Sequence, residues 1–144
     1  ASAPHEPSGK LFDWIILDTP PTISLFTRAA LCAADYVIAP ARSRPSSVAG
    51  TLNMVNTLDT MNALKHTPTK LLGCLLTHWQ EDEHSTETYP DLEALFSQRR
   101  SRILASYIPF DVTVEKTHGA THHRARKAYA EVAREVLGYV QQRG

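Results

Sequence analysis

Asp18 closes the apolar run Trp14-Ile15-Ile16-Leu17 and is followed at once by Thr19-Pro20-Pro21. A carboxylate at the carboxyl end of a buried strand faces the crevice where open α/β sheets bind ligands. There it can hold magnesium through water while the ion bridges phosphate oxygens. A turn or capping aspartate ahead of prolines has the same spacing. The arginines Arg99, Arg100 and Arg102 lie at a helix end, where cations complement the dipole; a DNA-facing patch, extended by Arg124, Arg126 and Lys127, is the other reading. Among the histidines, His118, His122 and His123 cluster, and His78 and His84 bracket Gln80-Glu81-Asp82-Glu83. These donors suit a metal in kind, but such stretches read first as solvated loops. No Ser/His/Asp set has the setting of a nucleophile elbow, and Cys32 and Cys74, both inside apolar stretches, read as small core residues.

The elements that must position these side chains follow from hydropathy patterning. Trp14–Leu17 is an unbroken apolar run, and Tyr36–Ala39, Leu71–Leu76 and Ile103–Ile108 repeat its pattern; the four are ended by Asp18, Pro40, Thr77 and Pro109. Strands buried on both faces of a parallel sheet look like this. Between them, Val48, Leu52, Val55, Leu58 and Met61 recur at helical spacing, a shorter helix is predicted from about Arg28 to Ala34, and another after Pro90 with Leu92, Leu95 and Phe96 inward. The last helix has the stripe Ala125, Ala128, Tyr129, Val132, Val136, Leu137 and Val140, with Arg126, Lys127, Glu131, Arg134 and Glu135 toward water. Strands alternating with helices imply an α/β fold, a mostly parallel sheet flanked by helices.

The 144 residues allow one domain, with residues 1–10 as a linker or disordered lead and order beginning at Leu11. Fifteen Lys and Arg balance fifteen Asp and Glu, so no global field demands nucleic acid or an acidic membrane. No run is long enough to span a membrane, residues 1–10 have no apolar centre for a signal peptide, and two cysteines are too few for a disulfide scaffold. A cytoplasmic protein is expected.

The stretch LFDWIILDTPPTISLFTRAALCAADYVIAPARSRPSSVAG resembles the Walker B and switch segment of the ParA/MinD family of ATPases. LLGCLLT resembles that family's next central strand, and SYIPFDVTVEKTHG with AYAEVAREVL its Ile-Pro loop and terminal helix, so the likeness runs from Leu11 to Leu137. The resemblance implies a P-loop NTPase fold of SIMIBI-like type that hydrolyses ATP with Mg2+. It also implies a nucleotide-dependent homodimer, a ParB-like activator or cargo adaptor, and partition or positioning of plasmid, chromosome or other cargo, often on non-specific nucleoid DNA. Position by position, Asp18 corresponds to the Walker B carboxylate, Thr19, Pro20 and Pro21 to the switch, and Thr77, His78, Pro109, Phe110 and Asp111 to the loops around the adenine base. His78 stands where relatives commonly have asparagine or arginine, and Ala29 where they often have asparagine.

The glycine-rich loop that cradles phosphates through backbone N–H groups, with a lysine and Ser/Thr, has no counterpart in these residues. Gly9-Lys10 lacks the preceding strand and glycine. The expectation is therefore a C-terminal portion whose sheet is incomplete on its N-terminal side, and the chain alone is expected to be inactive. Two other readings remain: a P-loop-less relative that serves as a protein-interaction module, and an amide-forming synthetase on the same sheet.

Overall fold

The computed structural model describes residues 12–20, 22–64, 69–110 and 123–142. Two of the apolar runs form the sheet. Strand β1 (Tyr36–Ala41) lies parallel to β2 (Lys70–Leu76), in a register from Tyr36 opposite Lys70 to Ala41 opposite Leu76, with one slip between Val37 and Ile38. Ala39, Ala41, Cys74 and Leu76 are almost fully buried, as strands covered by helices require.

A third segment runs parallel along the far side of β2. The Cys74 N–H donates to the Arg102 carbonyl at 2.8 Å, the Leu104 N–H to Cys74 at 2.9 Å and the Ile108 N–H to Leu76 at 2.8 Å. The unbroken strand predicted over Ile103–Ile108 is instead two contacts with a gap, because the amides of Ala105 and Ser106 turn to a side chain, Glu135. Gly73 permits this approach: a Cβ there would stand 2.8 Å from the Arg102 carbonyl oxygen.

Parallel neighbours need crossover connections, and helices supply them. Helix α1 (Leu25–Ala33) precedes β1, α2 (Pro45–Asn62) joins β1 to β2, α3 (Glu83–Ser97) joins β2 to the third segment, and α4 (His123–Gln141) follows. Val55 of α2 and Leu92, Leu95 and Phe96 of α3 pack with Ala39, Cys74, Leu76 and Trp79 into one core. Ala128 and Val132 of α4 pack with Ile108 against Leu75, which points to the opposite face from Cys74 and Leu76. The fold is thus a parallel sheet flanked by helices, present in part.

Several boundaries differ from the sequence reading. Helix α3 starts at Glu83, well before Pro90, because Asp82 and Ser85 form a reciprocal cap in which the Asp82 carboxylate accepts from the Ser85 N–H and the Ser85 hydroxyl from the Asp82 N–H, both at 2.9 Å. Pro90 is carried inside the helix on an exposed position, and Asp82–His84, read as loop, form the cap and first turn. In α2 the buried stripe is Thr51, Val55 and Leu58, with Leu52 turned toward solvent. In α4 Ala128 and Val132 are buried while Tyr129 and Leu137 are exposed. Cys32, read as core, is exposed on α1, whereas Cys74 is buried.

Trp14–Leu17 is the largest difference. Predicted as a buried strand, it pairs with no strand among the described residues, and Ile15 and Ile16 are 77% and 90% exposed. Apolarity alone cannot make a strand: its backbone needs a ladder, and β1 is hydrogen-bonded along one edge only, to β2, among the described residues. The linker expected over residues 1–10 lies outside the described residues.

Candidate site at the strand ends

The carboxyl ends of β1, β2 and the third segment converge. After β2, the Thr77 N–H donates to the Ala41 carbonyl at 2.7 Å, tying the two strand ends together. His78 then takes a left-handed conformation (φ 48°), unusual for a residue with a Cβ, and this turn re-aims the chain. Trp79 rejoins the third segment: its N–H donates to Ile108 at 3.0 Å, and its carbonyl accepts from Phe110 at 2.9 Å.

These bonds bring Thr77, His78, Pro109 and Phe110 together from sites more than thirty residues apart. The rings of His78 and Phe110 lie 6.5 Å apart at 54°, and Phe110 is partly exposed. His78 Nδ1 is buried and has no hydrogen-bond partner among the described residues. A buried ring nitrogen without a partner costs free energy, so a movement of the His78 turn that opened Nδ1 to a polar group would be favoured. An aromatic face beside it suits a planar heterocycle, since stacking and one directed hydrogen bond are what purine recognition needs. The residues present therefore fit a nucleotide base.

Asp18, Thr19 and Pro20 are exposed, and Asp18 makes no hydrogen bond or ion pair among the described residues. A lone, water-facing carboxylate has the chemistry to hold magnesium through water. Pro21, Asp111, His118 and His122 lie outside the described residues. No group of three or more His, Cys, Asp or Glu suited to a metal exists among the described residues, His78 and His84 included. Burial pushes the Cys74 thiol up to about 12, which leaves it an inert core group.

Arg99 and Arg102 are occupied within the fold. Arg99 Nε donates to Asp59 and its Nη2 to Asn56, each at 2.9 Å, and Nη1 reaches the Leu95 carbonyl at 3.2 Å. Arg102 lies over the Tyr139 ring, 4.5 Å from its centroid. Arg100 has positive φ (53°) just beyond α3. Glu135, assigned from the sequence to the water-facing side of α4, is half-buried and accepts from Ala105 and Ser106 at 2.8 and 2.7 Å. Burial works to raise its pKa, but those two backbone donors, helped by the Ser106 and Tyr139 hydroxyls, outweigh it and hold the carboxyl below its ordinary range. Glu135 and Trp79 were missed because both act on residues about thirty positions away, outside any local pattern.

A family model described as an AAA domain matches residues 6–71. The chain is 29% identical over 139 residues, 91% of its length, to the chromosome-partitioning ATPase Soj of Thermus thermophilus. It belongs to the ParA/MinD family. It is also 31% identical over 108 residues, 74% of its length, to the virulence plasmid ParA family protein pGP5-D of Chlamydia psittaci. To the sporulation initiation inhibitor protein Soj of Bacillus subtilis it is 26% identical over 133 residues, 87% of its length. The ParA-like chain spans 55%, 39% and 52% of these three proteins, about half the length of the curated relatives it matches. No solved structure matches it. Within this family the α/β architecture is that of a partial P-loop NTPase fold, and no described helix is long and apolar enough to cross a membrane.

Proposed function

We propose that the chain is the base-binding and metal-binding part of a ParA-type ATPase that hydrolyses ATP and uses the cycle to partition or position plasmid, chromosome or other cargo. The observation that carries this reading is the convergence of Thr77, His78, Pro109 and Phe110 at the strand ends, with the His78 ring nitrogen unpartnered beside Phe110. His78 and Phe110 would orient the adenine base; Asp18 would hold the waters of a bound magnesium, with Thr19, Pro20 and Pro21 as the switch at the terminal phosphate. Bound Mg2+ would supply charge neutralisation on the phosphates.

The phosphate-cradling loop has no counterpart in these residues, so the activity belongs to this part together with a segment that provides such a loop. Nucleotide-dependent homodimerisation, a ParB-like activator and weak, sequence-independent DNA contact complete the proposal. Two relatives are named for chromosome partitioning or as a plasmid ParA family protein, which supports the cargo class.

Asp18→Ala provides the test. In a full-length protein it should abolish turnover while leaving the melting temperature unchanged, because Asp18 is exposed and holds no neighbour. Hydrolysis at the parental rate would return Asp18 to a turn residue. A full-length protein that binds no nucleotide at all would favour the non-catalytic interaction module, to which the exposed apolar side chains of Trp14–Leu17, Leu25 and Phe26 also lend themselves.

A further inference from the structure

The third segment reaches the site only after a break. At Ala105 and Ser106 it gives up its pairing with β2, and both amides donate to one carboxylate, Glu135 on α4, at 2.8 and 2.7 Å. Charge-assisted bonds of this length are among the stronger ones in proteins. The clasp is itself held. The Tyr139 hydroxyl donates to Glu135 Oε1 at 3.1 Å, and the Tyr139 ring lies under the Arg102 guanidinium, at the start of the same segment.

Two residues past the clasp the backbone must return to register, since the Ile108 N–H donates to Leu76, the Ile108 carbonyl accepts from Trp79, and the Phe110 N–H donates to Trp79. Ala105 and Ser106 are therefore fixed immediately before Ile108, whose bonds to Leu76 and Trp79 carry the chain on to Phe110. With the carboxylate gone, their N–H groups would turn to other acceptors or to water, and a change in the path of residues 105–107 would reach Pro109 and Phe110 through Ile108.

We propose that Glu135 is a positioning residue for the His78–Phe110 pair, acting through the backbone of Ala105 and Ser106. It makes α4 part of the site without touching a ligand. The functional meaning of this device rests on the reading of the pair as a nucleotide-base site.

The test compares Glu135→Gln, which keeps shape but replaces one acceptor oxygen with a donor, with Tyr139→Phe, which leaves both backbone bonds in place. Amide exchange at Ala105 and Ser106 and the ring resonances of His78 and Phe110 are read on the 144-residue chain, and Mg-ADP affinity on a full-length protein. With Glu135→Gln, exchange at both amides should rise about tenfold or more, both rings should shift, and Mg-ADP should bind several-fold more weakly; Tyr139→Phe should do far less. Faster amide exchange with unmoved rings would overturn the proposal and reduce Glu135 to a helix staple. Should the parent bind no Mg-ADP, the base-site reading falls, while the ring resonances still decide whether Glu135 positions the pair.

Discussion

Arg99, just past the end of α3, and Asp59 of α2 form a 2.9 Å ion pair in which the guanidinium is largely covered and the carboxylate is about half exposed. Arg99 also bonds Asn56 and the Leu95 carbonyl, so one side chain crosses between two helices that share a core. Exposed pairs typically contribute about 0–1 kcal/mol, and the two further bonds add to this. Arg99→Ala should therefore destabilise the chain by about 1–2 kcal/mol in urea denaturation, whereas Arg100→Ala should not. The distinction matters for DNA: a triple alanine variant of Arg99, Arg100 and Arg102 would mix lost stability with lost phosphate contacts, so single variants must be compared. An unchanged midpoint for Arg99→Ala would show that its bonds exchange evenly with water and that the side chain is available for phosphate.

At Gly73 the backbone of the third segment comes too close for any side chain, and the contact lies against a carbonyl oxygen. Gly73→Ala should cost about 1–3 kcal/mol, the usual range for overpacking, and should loosen the bond from the Cys74 N–H to Arg102. The check is a chemical melt together with amide exchange at Cys74. A variant as stable as the parent, with Cys74 still protected, would mean that residues 102–104 shift aside at little cost.

What the sequence disclosed and what it hid can be argued from single elements. Tyr36–Ala39 and Leu71–Leu76 were legible as strands because each run finds the other as its partner and both are covered by helices. Trp14–Leu17 has the same composition but no partner among the described residues, and hydropathy reports what side chains prefer rather than whether a ladder exists. Pro90 looked like a helix start since proline favours the first turn, yet the Asp82–Ser85 cap wins by satisfying orphan N–H groups earlier in the chain. Family resemblance puts Thr77, His78, Pro109 and Phe110 in strand-end loops, but does not give the backbone bonds that join them. The left-handed turn at His78 and the clasp by Glu135 were not legible either, since both depend on the approach of distant backbone.

Glu135 also links stability to pH, with a sign set by its lowered pKa. A carboxyl held below its unfolded value contributes stability that is fully present above that value, ordinarily 4.5, and is lost as pH falls through the lower folded value. Tyr139 and Arg102 are the other titratable or charged groups in this contact network. The stability difference between the parent and Glu135→Gln should accordingly be constant near neutral pH and shrink below about 4.5. Urea midpoints at several pH values would show it. A difference that stays constant down to low pH would mean that shape rather than charge makes the clasp.

Ile16 is the clearest place to ask what the exposed apolar run is for. At 90% exposure it has almost no protein neighbour to lose, so Ile16→Lys in the 144-residue chain should change stability by no more than about 0.5 kcal/mol, as surface substitutions usually do. It should also reduce self-association, because Phe12, Ile15, Ile16, Leu25 and Phe26 all present large apolar surface and a charge interrupts the run. The same substitution has the opposite consequence if another strand covers Trp14–Leu17 in a full-length ATPase. There the lysine would replace a buried side chain with an uncompensated charge, a loss on the order of 3–5 kcal/mol. Light scattering and chemical denaturation on both proteins decide the matter. A destabilised 144-residue variant would show that Ile16 is already packed, and a full-length variant as stable as its parent would show that nothing covers the run there either. That second result would leave the exposed surface to a partner protein and weaken the view that Asp18 is carried into a nucleotide site by a strand.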